Sequence, residues 1–368
     1  MMKTEKKKHE PLAYISKRDN VPLSSRIIVR VVAIFIALVV CGIVTKVLTG
    51  DNPISIFKTI FHGAFGKGRM LVTIHDIAIL LCISLAVTPA FRMKFWNTGA
   101  EGQVLIGCLS TAVCMFCLGG KIPNWALIII MTVCAVFSGM LWGVIPAIFK
   151  AEWKTNETLF TLMMNYVATQ LVAYFVILWE VPKGAGKIGI INQNTQAGWL
   201  PQIGSYKYLL NILIVAVLTL VMYFYLKRSK QGYEISVVGE SERTARYVGI
   251  NVGKVIVRTM MISGGLCGFA GLLLVGGTDH TITTTIAGGR GFTAVMVAWL
   301  AKFNPLVMVF TSLLLVFLSR GASEITTIYG LNHSFGDILT GIILFFIIGS
   351  EFFISYRLSF LKQTKKEG

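Results

Sequence analysis

Ten apolar windows recur along this sequence, at about residues 27–48, 71–90, 104–119, 124–149, 158–179, 208–226, 255–276, 291–302, 305–320 and 336–355. Crossing a hydrocarbon layer roughly 30 Å thick takes about 20 apolar residues in a helix, because each backbone N–H and C=O must be satisfied within the segment. Most windows have that length, while 291–302 is short enough to be a half-helix. The pattern predicts an all-α fold, a polytopic membrane helix bundle with about ten transmembrane helices, some broken or half-length. Only 14% of the residues are charged, against about 25% in a soluble globular domain.

Lys and Arg number 34 against 17 Asp and Glu. In a soluble chain that excess suggests nucleic acid, but basic residues also collect in the cytoplasmic loops of membrane proteins, so no nucleic-acid partner is required. Threading the spans from a cytoplasmic start places Arg92, Lys94, Lys150, Lys154, the basic residues between Lys227 and Arg258, and Lys302 on one side. The residues left for the other side, Lys183, Lys207 and Arg290 among them, are scattered. Both termini are therefore expected in the cytoplasm, with residues 1–26 a basic tail, 27–356 the membrane domain and 357–368 a second tail. The run from Ile27 is too long for a cleavable signal and lacks a small-x-small site.

Polar residues inside or beside the spans are candidates for function. In FWNTGAEGQVLIG (95–107), Asn97, Glu101 and Gln103 stand where a span begins. A carboxylate at membrane depth costs about 2.5–3.5 kcal/mol, so Glu101 should be paired or interfacial. It either caps its helix or belongs to a broken segment lining a path. In TNETLFTLMMNYVA (155–168), Asn156 and Glu157 open a helix, and Thr161 and Asn165 share one face, suited to helix packing or to a wet cavity. GGRGFTAVMVAWLAKFNP (288–305) is a glycine-rich entry to the short span, with Phe292 on it. GGLCGFAGLLLVGG (264–277) suits close helix packing. His75 and Asp76 are expected to anchor at the interface, a proton relay being the alternative.

Other chemistries lack their residues. The seven cysteines fall in apolar runs as small core residues, and the lone C-x-x-C at Cys114 and Cys117 has no ligand partners. GAGKI (184–188) and VGKV (252–255) lack the hydroxyl and first glycine of a phosphate loop, so ATP has no P-loop here. No cluster has catalytic spacing, so an enzyme is not expected. Paired acids in mid-span, which an ion-coupled secondary transporter would need, are almost lacking.

SVVGESERTARYVGINVGK (236–254) is polar between two apolar spans. A short surface helix is expected between Gly239 and Gly249, with Ser241 as cap, Gly249 as stop, and Ala245 and Val248 on one face. The segment 236–253 resembles the coupling helix of ATP-binding-cassette importer permeases of the branched-chain amino acid and ribose-type group, whose G-x-x-x-x-x-A-x-x-x-G-I pattern is here Gly239, Ala245, Gly249 and Ile250. Tyr247 stands where that group favours an aromatic. FWNTGAEGQ is similar to the F-N-I-G-A-E-G-Q of the nucleoside and simple-sugar branch, with Trp96 inserted and Thr98 polar. TNETLFTLMMNY, GRGFTAVMVAWLAKFNP and GDNPISIFKTIFHGAFG are similar to further motifs of that branch, although Trp299 and Ala301 depart from it.

The resemblance implies a permease subunit of an importer in a bacterial cell membrane. Its ATPase subunit, a separate chain, would bind ATP and Mg and press on Gly239, Glu240, Ser241, Glu242, Ala245, Tyr247 and Gly249. A second, related permease would complete a heterodimer, and an external binding lipoprotein would deliver cargo. The substrate path would include Asn97, Glu101, Gln103, Asn156, Glu157, Thr161, Asn165 and Phe292, with no cofactor or metal held by this chain. Nucleosides are the expected cargo, with ribose- or galactose-like sugars the alternative.

Overall fold

Nine helices long and apolar enough to cross a bilayer occur among the described residues of the computed structural model, which are 13–18, 21–50, 53–66, 68–185, 188–204 and 206–360. In chain order the elements are β1 (Ala13–Lys17), α1 (Leu23–Thr49), α2 (Pro53–Phe65), α3 (Met70–Arg92), α4 (Ala100–Leu118), α5 (Asn124–Trp153) and α6 (Glu157–Trp179). There follow α7 (Leu209–Arg228), α8 (Lys230–Glu240), α9 (Glu242–Tyr247), α10 (Val252–Leu274), a π-helical turn (Val275–Asp279), α11 (Arg290–Leu300), α12 (Pro305–Ile328), α13 (His333–Ser355) and β2 (Tyr356–Phe360). The half-length expectation holds for α11, whose 11 residues rise only about 16 Å. Residues 1–12 and 361–368 of the expected tails, and Asp51 and Asn52 after the first span, lie outside the described residues.

Contacts divide the chain into two compact units, one ending at residue 64 and resuming at 318, the other spanning 65–317. In the first, α1 and α13 run antiparallel. Arg30 pairs with Glu351 at 3.0 Å, and the Cys41 thiol lies 3.8 Å from the Leu339 carbonyl. Beyond their ends β1 pairs antiparallel with β2, Ala13 opposite Phe360 and Lys17 opposite Tyr356. Strands are not expected in these mostly tail positions, because five residues with no apolar run give little strand signal.

The second unit is centred on α3, α4 and α10, which are mostly buried, while α5, α6 and α7 keep large apolar side chains exposed. Exposed Ile129, Val133, Phe137, Val217 and Phe224 are what a lipid-facing surface requires. The centre is drawn tight by glycine, as expected from 264–277. Gly139 and Gly143 of α5 lie on Gly264 and Gly268 of α10, and Gly107 of α4 also meets Gly268. A Cβ at Gly139 would strike the Gly264 carbonyl, and one at Gly268 the Ala135 carbonyl. Lipid supplies no hydrophobic drive between helices, so such backbone approach is what van der Waals packing needs. Of the cysteines, Cys117 is exposed rather than a core residue.

Candidate functional site

The 97–103 turn is a suture between three helices. Leaving α3, the chain reverses at Lys94, which takes φ 60°, and buries Asn97 completely. The Asn97 amide donates to Gln103 Oε1 at 3.3 Å and Ser263 Oγ at 3.2 Å, while its oxygen accepts from the Gly99 N–H and Gln103 Nε2. Asn165 of α6 accepts the Gly102 N–H at 2.8 Å and donates to the Thr98 carbonyl at 2.9 Å. Thr161, one turn earlier, meets the Thr98 hydroxyl at 3.0 Å. Asn97, Gln103, Thr161 and Asn165 are thus buried, the first two bonded to each other and the last two to Thr98 and Gly102 of the same turn. The side chains of Asn156 and Glu157 bond elsewhere, although the Glu157 carbonyl accepts from the Thr161 hydroxyl at 2.8 Å. Asn156 caps α6 by accepting the N–H groups of Thr158 and Leu159, and Glu157 pairs with Lys150 at 2.7 Å.

Glu101 caps a helix, though not its own. Its oxygens accept the backbone N–H groups of Gly289 at 2.8 Å and Gly291 at 2.7 Å, at the start of α11. Between those glycines Arg290 reaches Asp76 of α3 at 3.4 Å. Arg290 is half-buried in this pair. His75, expected as an interfacial anchor, is instead enclosed by protein, and Asp76 pairs with Arg290. His75 is 2% exposed, and its Nε2 meets Thr278 Oγ1 at 2.9 Å and Asn211 at 3.2 Å. No local pattern signals these bonds, because the partners come from α7 and the π-helical turn, more than a hundred residues away.

The outer face of α11 is aromatic. Phe292 and Trp299 are 43% and 49% exposed, and Trp96 is 45% exposed. Trp96 and Trp299 lie 5.3 Å apart between ring centroids, with Phe91 and Phe303 at their edges. Trp96 and Trp299, two departures from the family pattern, are therefore neighbours in space.

The polar segment forms two helices where one was expected. Ser241 takes extended backbone, ends α8, and caps α9 by accepting the Thr244 N–H. Gly249, with φ 83°, stops α9. Gly239 sits within α8, against the Arg92 carbonyl. Ala245 does not share an outward patch with Val248. It is fully buried among Met93, Phe95, Ile235, Val238 and Val255, while Tyr247 is 92% exposed and Val248 57%. With only six residues in α9, the alanine facing in and the tyrosine facing out are two positions apart, on opposite sides. Glu234 fixes α8 to Arg258 of α10 at 2.7 Å.

At the other end of the unit the 188–204 loop is held by hydrogen bonds. Trp199 Nε1 donates to the Ile191 carbonyl, the Ile191 N–H to His280, and the Leu200 N–H to Gly276. A cleft of about 650 Å³ opens beside it, lined by Asn124, Gln196, Trp199 and Gln202. Burial pushes His280 below the usual histidine range, with the charge of Lys207 acting in the same direction.

Known proteins are similar in sequence to this chain. The family model described as branched-chain amino acid transport system / permease component matches residues 69–348. The guanosine ABC transporter permease protein NupP of Bacillus subtilis is 29% identical over 350 residues, covering 94% of this chain and 98% of that one. The glucose ABC transporter permease protein TsgB13 of Haloferax volcanii is 26% identical, covering 89% of this chain and 88% of its own. The nucleoside ABC transporter permease protein NupB of Lactococcus lactis is 26% identical, covering 93% and 98%. The family match takes in the 97–103 suture, the α8–α9 segment and α11 together, and the chain belongs to that family of ABC importer permease components.

Proposed function

We propose that this chain is the permease subunit of a nucleoside importer, paired with a second, related permease, served by an external binding lipoprotein and driven by a separate ATPase that binds ATP and Mg. In this reading α9 lies on the cytoplasmic side with both termini, and the 188–204 loop faces outward. The observation that carries it is α9 itself, which buries Ala245 against the turn leading into the suture and offers Tyr247 to solvent. Closure of the ATPase on Tyr247 and Val248 would push that turn, and α3 and α4 with it. Gly239, Glu240, Ser241, Glu242 and Gly249 set the shape of the contact. A surface helix with one face docked and a large aromatic on the other suits a partner chain, since aromatic residues dominate binding energy at interfaces.

Two relatives named for guanosine and nucleoside transport support a nucleoside cargo, and the exposed Trp96, Trp299 and Phe292 offer flat faces to a base. A relative named for glucose supports the alternative, a simple sugar. The test is reconstitution with the partner permease, ATPase and receptor in liposomes, measuring uptake of guanosine and of glucose. ATP-dependent guanosine uptake is expected. Glucose uptake alone would favour the sugar reading, and uptake by this chain alone under an ion gradient would favour a secondary transporter.

A further inference from the structure

Glu101 is the one charged residue of the 97–103 turn, and both its oxygens are taken by another helix. The start of α11 has no capping side chain of its own, and Gly289 stands there with φ 70°. A Cβ at Gly291 would strike the backbone of Glu101. Carboxylate and glycines thus form one fitted joint between α4 and α11, made of charge-assisted bonds, which are about twice as strong as neutral ones. The second hold on α11, Arg290 to Asp76, is longer at 3.4 Å, with Arg290 31% exposed.

On its other side α4 is reached from α9 in few steps. Ala245 shares one buried cluster with Met93 and Phe95, whose turn runs into Asn97. Asn97 is bonded to Gln103, two residues from Glu101 on the same helix. Coupling between distant sites can be carried by packed and bonded groups that have two arrangements, and such groups lead here from the surface helix toward the aromatic face. Resting on the permease reading above, we infer that Glu101 is the positioning residue that passes movement of α9 to α11, so that Phe292 and Trp299 shift when the ATPase closes.

The assembled complex of both permeases and the ATPase tests this. Glu101→Gln keeps the shape of the side chain but sets an NH2 group against one of the two backbone donors. Amide exchange at Gly289 and Gly291 is expected to rise roughly tenfold, the loss of one charge-assisted bond. Cargo moved per ATP is expected to fall by about the same factor, with receptor affinity unchanged. Glu101→Asp keeps the charge and should recover part of the transport. In the unmodified complex, a non-hydrolysable ATP analogue should alter exchange in 93–103 and 289–291 together.

Unaltered exchange and transport in the Gln variant would overturn the inference, as would equal loss in Gln and Asp or a nucleotide response confined to 93–103. That last measurement needs no variant and stands even if Glu101→Gln does not assemble. Absence of cargo-stimulated hydrolysis in the unmodified complex would sink the permease reading and this inference with it. Normal hydrolysis with unaltered exchange in the variant would sink this inference alone.

Discussion

Trp199 lies flat on His280, their ring centroids 3.8 Å apart and their planes 3° from parallel. The contact closes the 188–204 loop over the end of the π-helical turn, where His280 takes φ 49° and its buried Nδ1 has no hydrogen-bond partner. Burial lowers the histidine pKa, so the folded state favours the neutral ring. The unfolded state then binds the proton more readily. The contribution to stability is complete above the ordinary histidine value and is lost as pH falls through the lower folded one. Thermal unfolding of the purified protein should therefore drop on acidification below about pH 6, and His280→Phe should flatten that drop. Equal slopes in the two proteins would remove His280 from the pH response.

Tyr247 and Ala245 should separate docking from packing. Tyr247→Ala removes an exposed ring and should leave stability within about 0.5 kcal/mol, while weakening capture of the ATPase measured by pull-down from detergent. Ala245→Leu inserts a larger side chain into a filled site and should cost about 1–3 kcal/mol, read as a lower unfolding temperature. Destabilisation by Tyr247→Ala with Ala245→Leu silent would mean that α9 faces the other way.

The glycine seam makes a sharper claim. Gly268→Ala places a methyl against the Ala135 carbonyl, backbone that cannot swing aside, and should cost about 1–3 kcal/mol. Gly341→Ala on α13 has open space at its Cβ and serves as the control, expected to be neutral or slightly stabilising through better helix propensity. Unfolding in detergent by a chaotrope compares the two.

Asn165 joins α6 to the suture by two bonds, so Asn165→Leu should destabilise by about 1–2 kcal/mol. Asn165→Asp keeps the acceptor for the Gly102 N–H but loses the donor to the Thr98 carbonyl, and should fall between the two. If Asn165 serves cargo and not packing, transport would fall in both variants with stability unchanged.

Length and hydropathy made the spans legible, down to the short α11, because lipid forces backbone pairing into single segments. The glycine seam was legible too, since small residues four apart have few other uses within a span. Long-range partners were not. Whether Glu101 capped its own helix or another depended on where α11 lay, and no local pattern in residues 95–107 encodes that. For the polar segment, period alone put Ala245 beside Val248. The helix ends at Tyr247, so Val248 leaves the helical period that would have set it beside Ala245, and a serine with extended backbone reads equally well as the first cap or as a second one.

The backbone-to-backbone seam of α4, α5 and α10 restricts how the protein moves. Sliding one of these helices along another would push carbonyl oxygens over glycine Cα atoms with no side chain to yield between them, so a small axial slip is blocked and only a jump of a whole turn, about 5.4 Å, would restore the fit. These three helices should tilt as a single block, and the gate must be sought among the elements hinged to it.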